Sequence, residues 1–122
     1  MTKDGIGSNT DFTAPERDYI RRELDMFFST LPTVAEGFRL KTWRGGTLAG
    51  QPKLPLTAKA LVERGLMQLD ATIRPPRLYV TEVGLEALRR MIADRRFANP
   101  EQFAHVRREL SIDPPLPGDA EP

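Results

Sequence analysis

The run Arg74-Pro75-Pro76-Arg77 constrains the fold more than any other part of the chain. Adjacent prolines fix φ and remove two main-chain donors, so neither a helix nor a central strand passes through them. Before the run, Met67, Leu69, Ala71 and Ile73 fall on one face at a period of two, the pattern of a strand. After it, Leu78-Tyr79-Val80 is rich in strand-forming residues. Residues 66–73 and 78–80 are therefore expected to pair as an antiparallel hairpin with a stiff, doubly basic tip. Pro55 opens a helix predicted over 54–64, with Ala58, Leu61 and Val62 facing inward and Gly65 just past its end. Thr81 caps a helix predicted over 82–96. Its stripe is Leu85, Leu88, Met91 and Ile92, and bases crowd its last turns, where the helix dipole favours them.

The outer segments carry further helical patterns. Thr13-Ala14-Pro15-Glu16 reads as a capping box with Pro in the first turn. Ile20, Leu24, Phe27, Phe28 and Leu31 then form one apolar stripe, which predicts a helix from Thr13 to Leu31, stopped by Pro32. Asn99-Pro100 starts another helix, with Phe103, Val106 and Leu110 at helical spacing. Between Pro32 and Pro55, Val34, Phe38, Leu40 and Trp43 fit a helix in part. A short strand fits as well, because Phe38, Leu40 and Thr42 alternate with Arg39, Lys41 and Trp43. Residues 45–53 read as loop. Residues 1–12 read as a mobile N-terminal arm, and 111–122, with four prolines and several acids, as a disordered acidic tail. This leaves one domain over 13–110. The fold class expected is α+β, mainly α with a small β-hairpin.

Composition excludes several function classes. The 122 residues include no Cys, which removes disulfides, thiolate nucleophiles and Cys-based metal sites. His105 is the one histidine, so neither a multi-His metal site nor a triad with a histidine to spare is available within one chain. His105 lies off the Phe103–Val106–Leu110 stripe and is expected to be exposed. No catalytic residue, metal ligand or cofactor site is assigned, and an enzyme is not expected. No apolar run is long enough to span a bilayer, and the N-terminus lacks the order of a secretory signal. A cytoplasmic location and no membrane partner are the expectations.

The net charge of +1 hides an uneven distribution. Residues 37–77 hold eight bases and two acids, a local charge of +6, between flanks of −3 and −2. A basic middle between acidic flanks is the footprint of a face that meets an anion, most often nucleic acid.

The order of elements resembles a winged helix-turn-helix domain. The residues that carry the resemblance are Leu61-Val62-Glu63-Arg64-Gly65-Leu66-Met67 and Tyr79-Val80-Thr81-Glu82-Val83-Gly84-Leu85. Bacterial MarR-like and PadR-like regulators are similar: a recognition helix ends in a Leu-x-x-x-Gly-Leu turn, a basic hairpin follows, and the next helix starts near Leu-Thr-x-x-Gly. Here Val80 stands where Leu is usual, and the similarity covers about residues 54–92. It implies a winged helix with added N- and C-terminal helices, binding to double-stranded DNA, regulation of transcription, and a homodimer built by the terminal helices. One departure is visible. Those families place a compact supporting helix just before the recognition helix, and this chain has Trp43 to Lys53 there instead. The supporting helix is thus expected to be displaced to about 32–43, replaced, or absent.

The candidate DNA contacts are Arg39, Lys41, Arg44, Lys53, Thr57, Lys59, Arg64, Arg74 and Arg77. Arg74 and Arg77 at a stiff tip suit phosphates or a minor groove. Lys53, Thr57, Lys59 and Arg64 surround the exposed side of the 54–64 helix, whose start offers a positive dipole end. That helix lacks the Arg, Asn and Gln that read bases well, apart from Arg64 at its far end. Phosphate contacts should therefore outnumber base contacts. Trp43, between Lys41 and Arg44, offers a surface for a stacked base, but a lone Trp beside Phe38 and Leu40 is expected in the core. Gly45 to Gly50 has the glycine spacing of a P-loop without its Lys-Ser/Thr, so it reads as a flexible loop whose main-chain N–H groups could line a phosphate. The candidate dimer contacts are Ile20, Leu24, Phe27, Phe28, Phe103 and Val106. The alternative function is a winged-helix module that binds protein and not DNA. The sequence leaves any small-molecule effector unassigned.

Overall fold

The computed structural model describes residues 11–112. Its elements run α1 (Ala14–Leu24), β1 (Phe38–Arg39), α2 (Leu56–Glu63), β2 (Met67–Asp70), β3 (Arg77–Val80), α3 (Glu82–Ala93) and α4 (Ala104–Glu109). The three strands form one antiparallel sheet in the order β1-β3-β2. The architecture is α+β. No helix among the described residues is long and apolar enough to cross a membrane.

Strand register separates core from surface. Phe38, Leu78 and Leu69 lie in one row across the sheet, with Phe38 and Leu78 buried. The next row is Arg39, Arg77 and Asp70, on the opposite face of the pleat. The expected hairpin is present but shorter on its first arm, because β2 ends at Asp70 and not at 73. Thr72 ends the pairing: its N–H and its hydroxyl both donate to Asp70 Oδ1, at 2.9 and 2.6 Å. Those bonds, the hydroxyl's first, hold the Asp70 carboxyl below the usual carboxylate range. Pro76 is fully buried, so the tip folds back onto the domain.

The two motifs on either side of the sheet interlock. Gly65 leaves α2 with φ of 78°, a left-handed conformation that glycine takes without strain. The Thr81 hydroxyl donates to the Gly65 carbonyl at 2.7 Å and accepts from Gly84 N–H at 3.1 Å. Thr81 N–H donates to the Leu66 carbonyl at 3.1 Å. Gly84 lies so close to that carbonyl that a Cβ there would sit 2.0 Å from its oxygen. The start of α3 is thus pressed directly onto the turn that ends α2.

α1 begins as expected. Thr13 and Glu16 form the capping box, with Thr13 N–H donating to Glu16 Oε1 at 2.8 Å. It ends at Leu24, seven residues before the expected stop at Leu31. Asp25 is extended, and residues 27–30 form a tight turn with Phe27 and Thr30 exchanging main-chain hydrogen bonds at 2.9 and 2.8 Å. His105 Nε2 lies 2.7 Å from the Leu24 carbonyl, one of the groups a helix end leaves unpaired, and donates to it. His105 is half-buried by this contact, not exposed as expected.

α3 ends at Ala93, not 96, because the Asp94 side chain accepts from Arg96 N–H at 2.9 Å and turns the chain. Asn99 caps a turn, accepting from Glu101 and Gln102 N–H at 2.8 and 2.9 Å, and α4 proper starts only at Ala104. The core gathers Tyr19, Ile20 and Leu24 of α1, Ala58 and Leu61 of α2, the inner sheet row, the α3 stripe, and Phe103, Val106 and Leu110. Tyr19 meets Phe38 edge to face at 6.1 Å, and burial pushes its hydroxyl pKa up.

Phe12 is buried in this core and Asp11 pairs with Arg90, so the end of the expected mobile arm is anchored. Ile112 packs against the core as well. The rest of both expected tails, 1–10 and 113–122, lies outside the described residues.

Candidate functional site

Residues 41–53 form a doubled-back loop, not a helix. Thr42 bridges Pro52, Lys53 N–H donates to the Lys41 carbonyl at 2.7 Å, and Trp43 N–H donates to the Gln51 carbonyl at 2.9 Å. Among the described residues no helix lies between α1 and α2, so the expected displacement of a supporting helix to about 32–43 is not found. The loop stands beside the hairpin tip. Leu40 N–H donates to the Pro76 carbonyl at 2.9 Å, and Arg74 Nη1 lies 3.5 Å from the Gly50 carbonyl.

Loop and tip together enclose an open cleft of about 710 Å³. Lys41, Arg44, Lys53 and Arg74 line it, over a floor that includes Pro75 and Pro76, with the Thr42 hydroxyl among them. Among the described residues no carboxylate lines it. Four cations drawn from both segments therefore share one concavity without an opposing charge. Such a concavity focuses positive potential and raises the local concentration of anions.

Trp43 is not in the core, contrary to the expectation. It is 43% exposed, with Lys53 Nζ 4.7 Å from its ring centroid. Trp43 does not itself line the cleft, but Lys53, which does, lies over its ring. The reason is visible in the alternation along 38–43. Phe38 and Leu40 are buried while Arg39, Lys41 and Trp43 are exposed.

The other expected DNA contacts lie elsewhere. Arg39 and Arg77 sit in the outer row of the sheet, and Arg77 Nη1 donates to the Glu36 carbonyl at 2.7 Å. Lys59 is exposed and Thr57 half-buried on α2, and the start of that helix has no side-chain cap. Arg64 is turned toward α1. It forms an ion pair with Glu16, which is 3% exposed, and donates to the Asp11 carbonyl at 2.8 Å, tying the end of α2 to the start of α1. The main-chain N–H groups of Ala49, Gly50 and Gln51 bond within the loop, to the Gly46, Trp43 and Leu48 carbonyls, and so do not line a phosphate.

Four of the six expected dimer contacts are corrected. Ile20, Leu24, Phe103 and Val106 are at most 1% exposed, covered by the chain's own core. Helical period identifies a buried stripe but not what buries it. Phe27 and Phe28 are off the helix, in the tight turn, 66% and 86% exposed, with ring centroids 4.3 Å apart. Phe28 and Ser29 take φ of 50° and 64° there, which is uncommon for a bulky residue. Met26 and Leu31 flank them, also exposed.

Comparison with protein-family models, curated protein sequences and solved structures returns no match.

Proposed function

We propose that this chain is a small DNA-binding protein of winged-helix type that regulates transcription, gripping DNA mainly through phosphate and minor-groove contacts. The observation that carries the reading is the convergence of Lys41, Arg44, Lys53 and Arg74 on one cleft that no carboxylate lines among the described residues. Arg74 is exposed at the hairpin tip, and the buried Pro76 two residues on fixes that tip to the domain. α2 precedes the hairpin as a recognition helix would, but its exposed residues Leu56, Lys59 and Glu63 offer few base contacts. Affinity therefore rests on the wing side and on charge.

The test is an anisotropy titration of a generic duplex at two salt concentrations. Binding should weaken steeply with salt, and Lys41→Gln plus Arg74→Gln should lower the salt slope by roughly 2. Lys59→Gln should change it little. No binding at low salt refutes the reading. The second reading, a winged-helix module that docks on protein, then takes its place. It rests on the exposed apolar turn of Met26, Phe27, Phe28 and Leu31.

A further inference from the structure

We infer that the cleft seats unpaired DNA, with its phosphates on the four cations and one base stacked on Trp43. The inference rests on the DNA-binding reading and deepens it. Three observations carry it.

The first is the shape of the cleft. Three of its cations come from the 41–53 loop and one, Arg74, from the hairpin tip beside it, so an extended anion can run across both. A basic groove that tracks a backbone is one of the two parts of a single-strand platform. The second is Trp43. An indole that keeps 43% of its surface exposed forgoes much of the stabilisation that burial would give. It lies outside the cleft lining, next in the chain to Arg44, with Lys53 of the cleft over one face of its ring, so a base would stack on the other face or displace that ammonium. Stacking platforms for single strands combine these two elements, a basic groove and an aromatic face. The third is α2. Its exposed Leu56 and Glu63 leave a poor surface for reading paired bases in a major groove, so the chain's best nucleic-acid chemistry lies away from that helix.

Trp43 is the chain's one tryptophan, so intrinsic fluorescence reports on it alone. The experiment titrates the full chain with a ten-residue oligo(dT), with a fully paired duplex, and with the same duplex carrying a single-stranded overhang. The expected result is quenching by oligo(dT) and by the overhang. The overhang should bind about tenfold more tightly than the paired duplex, the scale of one stacked base. Trp43→Ala should remove that tenfold preference, lowering overhang binding to the level of the paired duplex. Trp43→Phe should restore part of it. Circular dichroism of each variant checks that the fold is kept. Equal affinity for paired and overhanging duplex without quenching would overturn this inference and leave DNA binding standing. A preference that survives Trp43→Ala would overturn the stacking role. Binding of none of the three would overturn both.

Discussion

Replacing Gly84 with Ala should damage this fold more than its size implies. A Cβ at Gly84 would lie 2.0 Å from the Leu66 carbonyl oxygen, 2.9 Å from its carbon and 3.0 Å from Val80 Cγ1. Restoring ordinary contact needs a shift of about 1 Å, and the atom in the way is backbone, not a pliable side chain. α3 cannot retreat without loosening the Thr81 cap, which holds Gly84 N–H at 3.1 Å and the Gly65 carbonyl at 2.7 Å. It would also lift Ala87, Leu88, Met91 and Ile92 off the core, all at most 4% exposed.

Overpacking of this kind costs about 1–3 kcal/mol, and a compromised cap about 1 kcal/mol more. Alanine's better helix propensity returns up to about 1 kcal/mol. A net loss of about 1–4 kcal/mol is expected, or a Tm lower by at least roughly 5 °C for a domain of this size. Urea denaturation followed by far-UV circular dichroism reads it directly. Gly45→Ala is the matched control. Nothing lies within 4 Å of its Cβ position, so it should be neutral or slightly stabilising through the unfolded chain. A Gly84→Ala protein within about 0.5 kcal/mol of the parent would refute the argument that the two motifs are pressed together.

Three further outcomes follow from particular contacts. Glu16→Ala removes both the return arm of the capping box and the partner of Arg64, and should cost about 2 kcal/mol in the same denaturation assay, discounted because Arg64 is partly exposed. The Asp70 carboxyl is held low by Thr72, so its contribution is complete above the unfolded carboxyl pKa and is lost as pH falls through the folded value. Thr72→Val should therefore raise the Asp70 pKa in an NMR titration, and an unmoved titration would contradict the assignment. If the Phe27–Phe28 turn joins two copies of this chain, light scattering at high micromolar concentration should give a dimer that Phe27→Ser plus Phe28→Ser returns to monomer. A monomeric parent would remove the dimer.

How much of this was legible depended on whether the deciding contact was local. The capping box at Thr13 and the hairpin on both sides of Pro75-Pro76 are settled within a few residues, and each is where the sequence places it, whereas Asn99 caps only a turn and the helix expected from it starts at Ala104. The premature end of α1 is not local. The stripe through Phe27, Phe28 and Leu31 continues the period, while the Leu24 carbonyl is taken by His105, 81 residues away. Arg64 likewise counts toward the +6 of its segment, but its partner Glu16 lies 48 residues upstream, and no sum over neighbours reveals it.

At Trp43 two signals in the sequence oppose each other. Alternation put it on the side of Arg39 and Lys41, whereas the average burial of tryptophan put it in the core. Alternation reports geometry at this position, and average burial reports tryptophans elsewhere, so the local pattern deserved the greater weight. The same distinction explains the cleft. Segment charge locates the basic region, but only four of its eight bases converge, because the 41–53 loop doubles back beside the 71–76 tip. An anion would meet that convergence rather than the sum, so substitutions at Lys41, Arg44, Lys53 and Arg74 should outweigh equal changes of charge at Lys59 or Arg64.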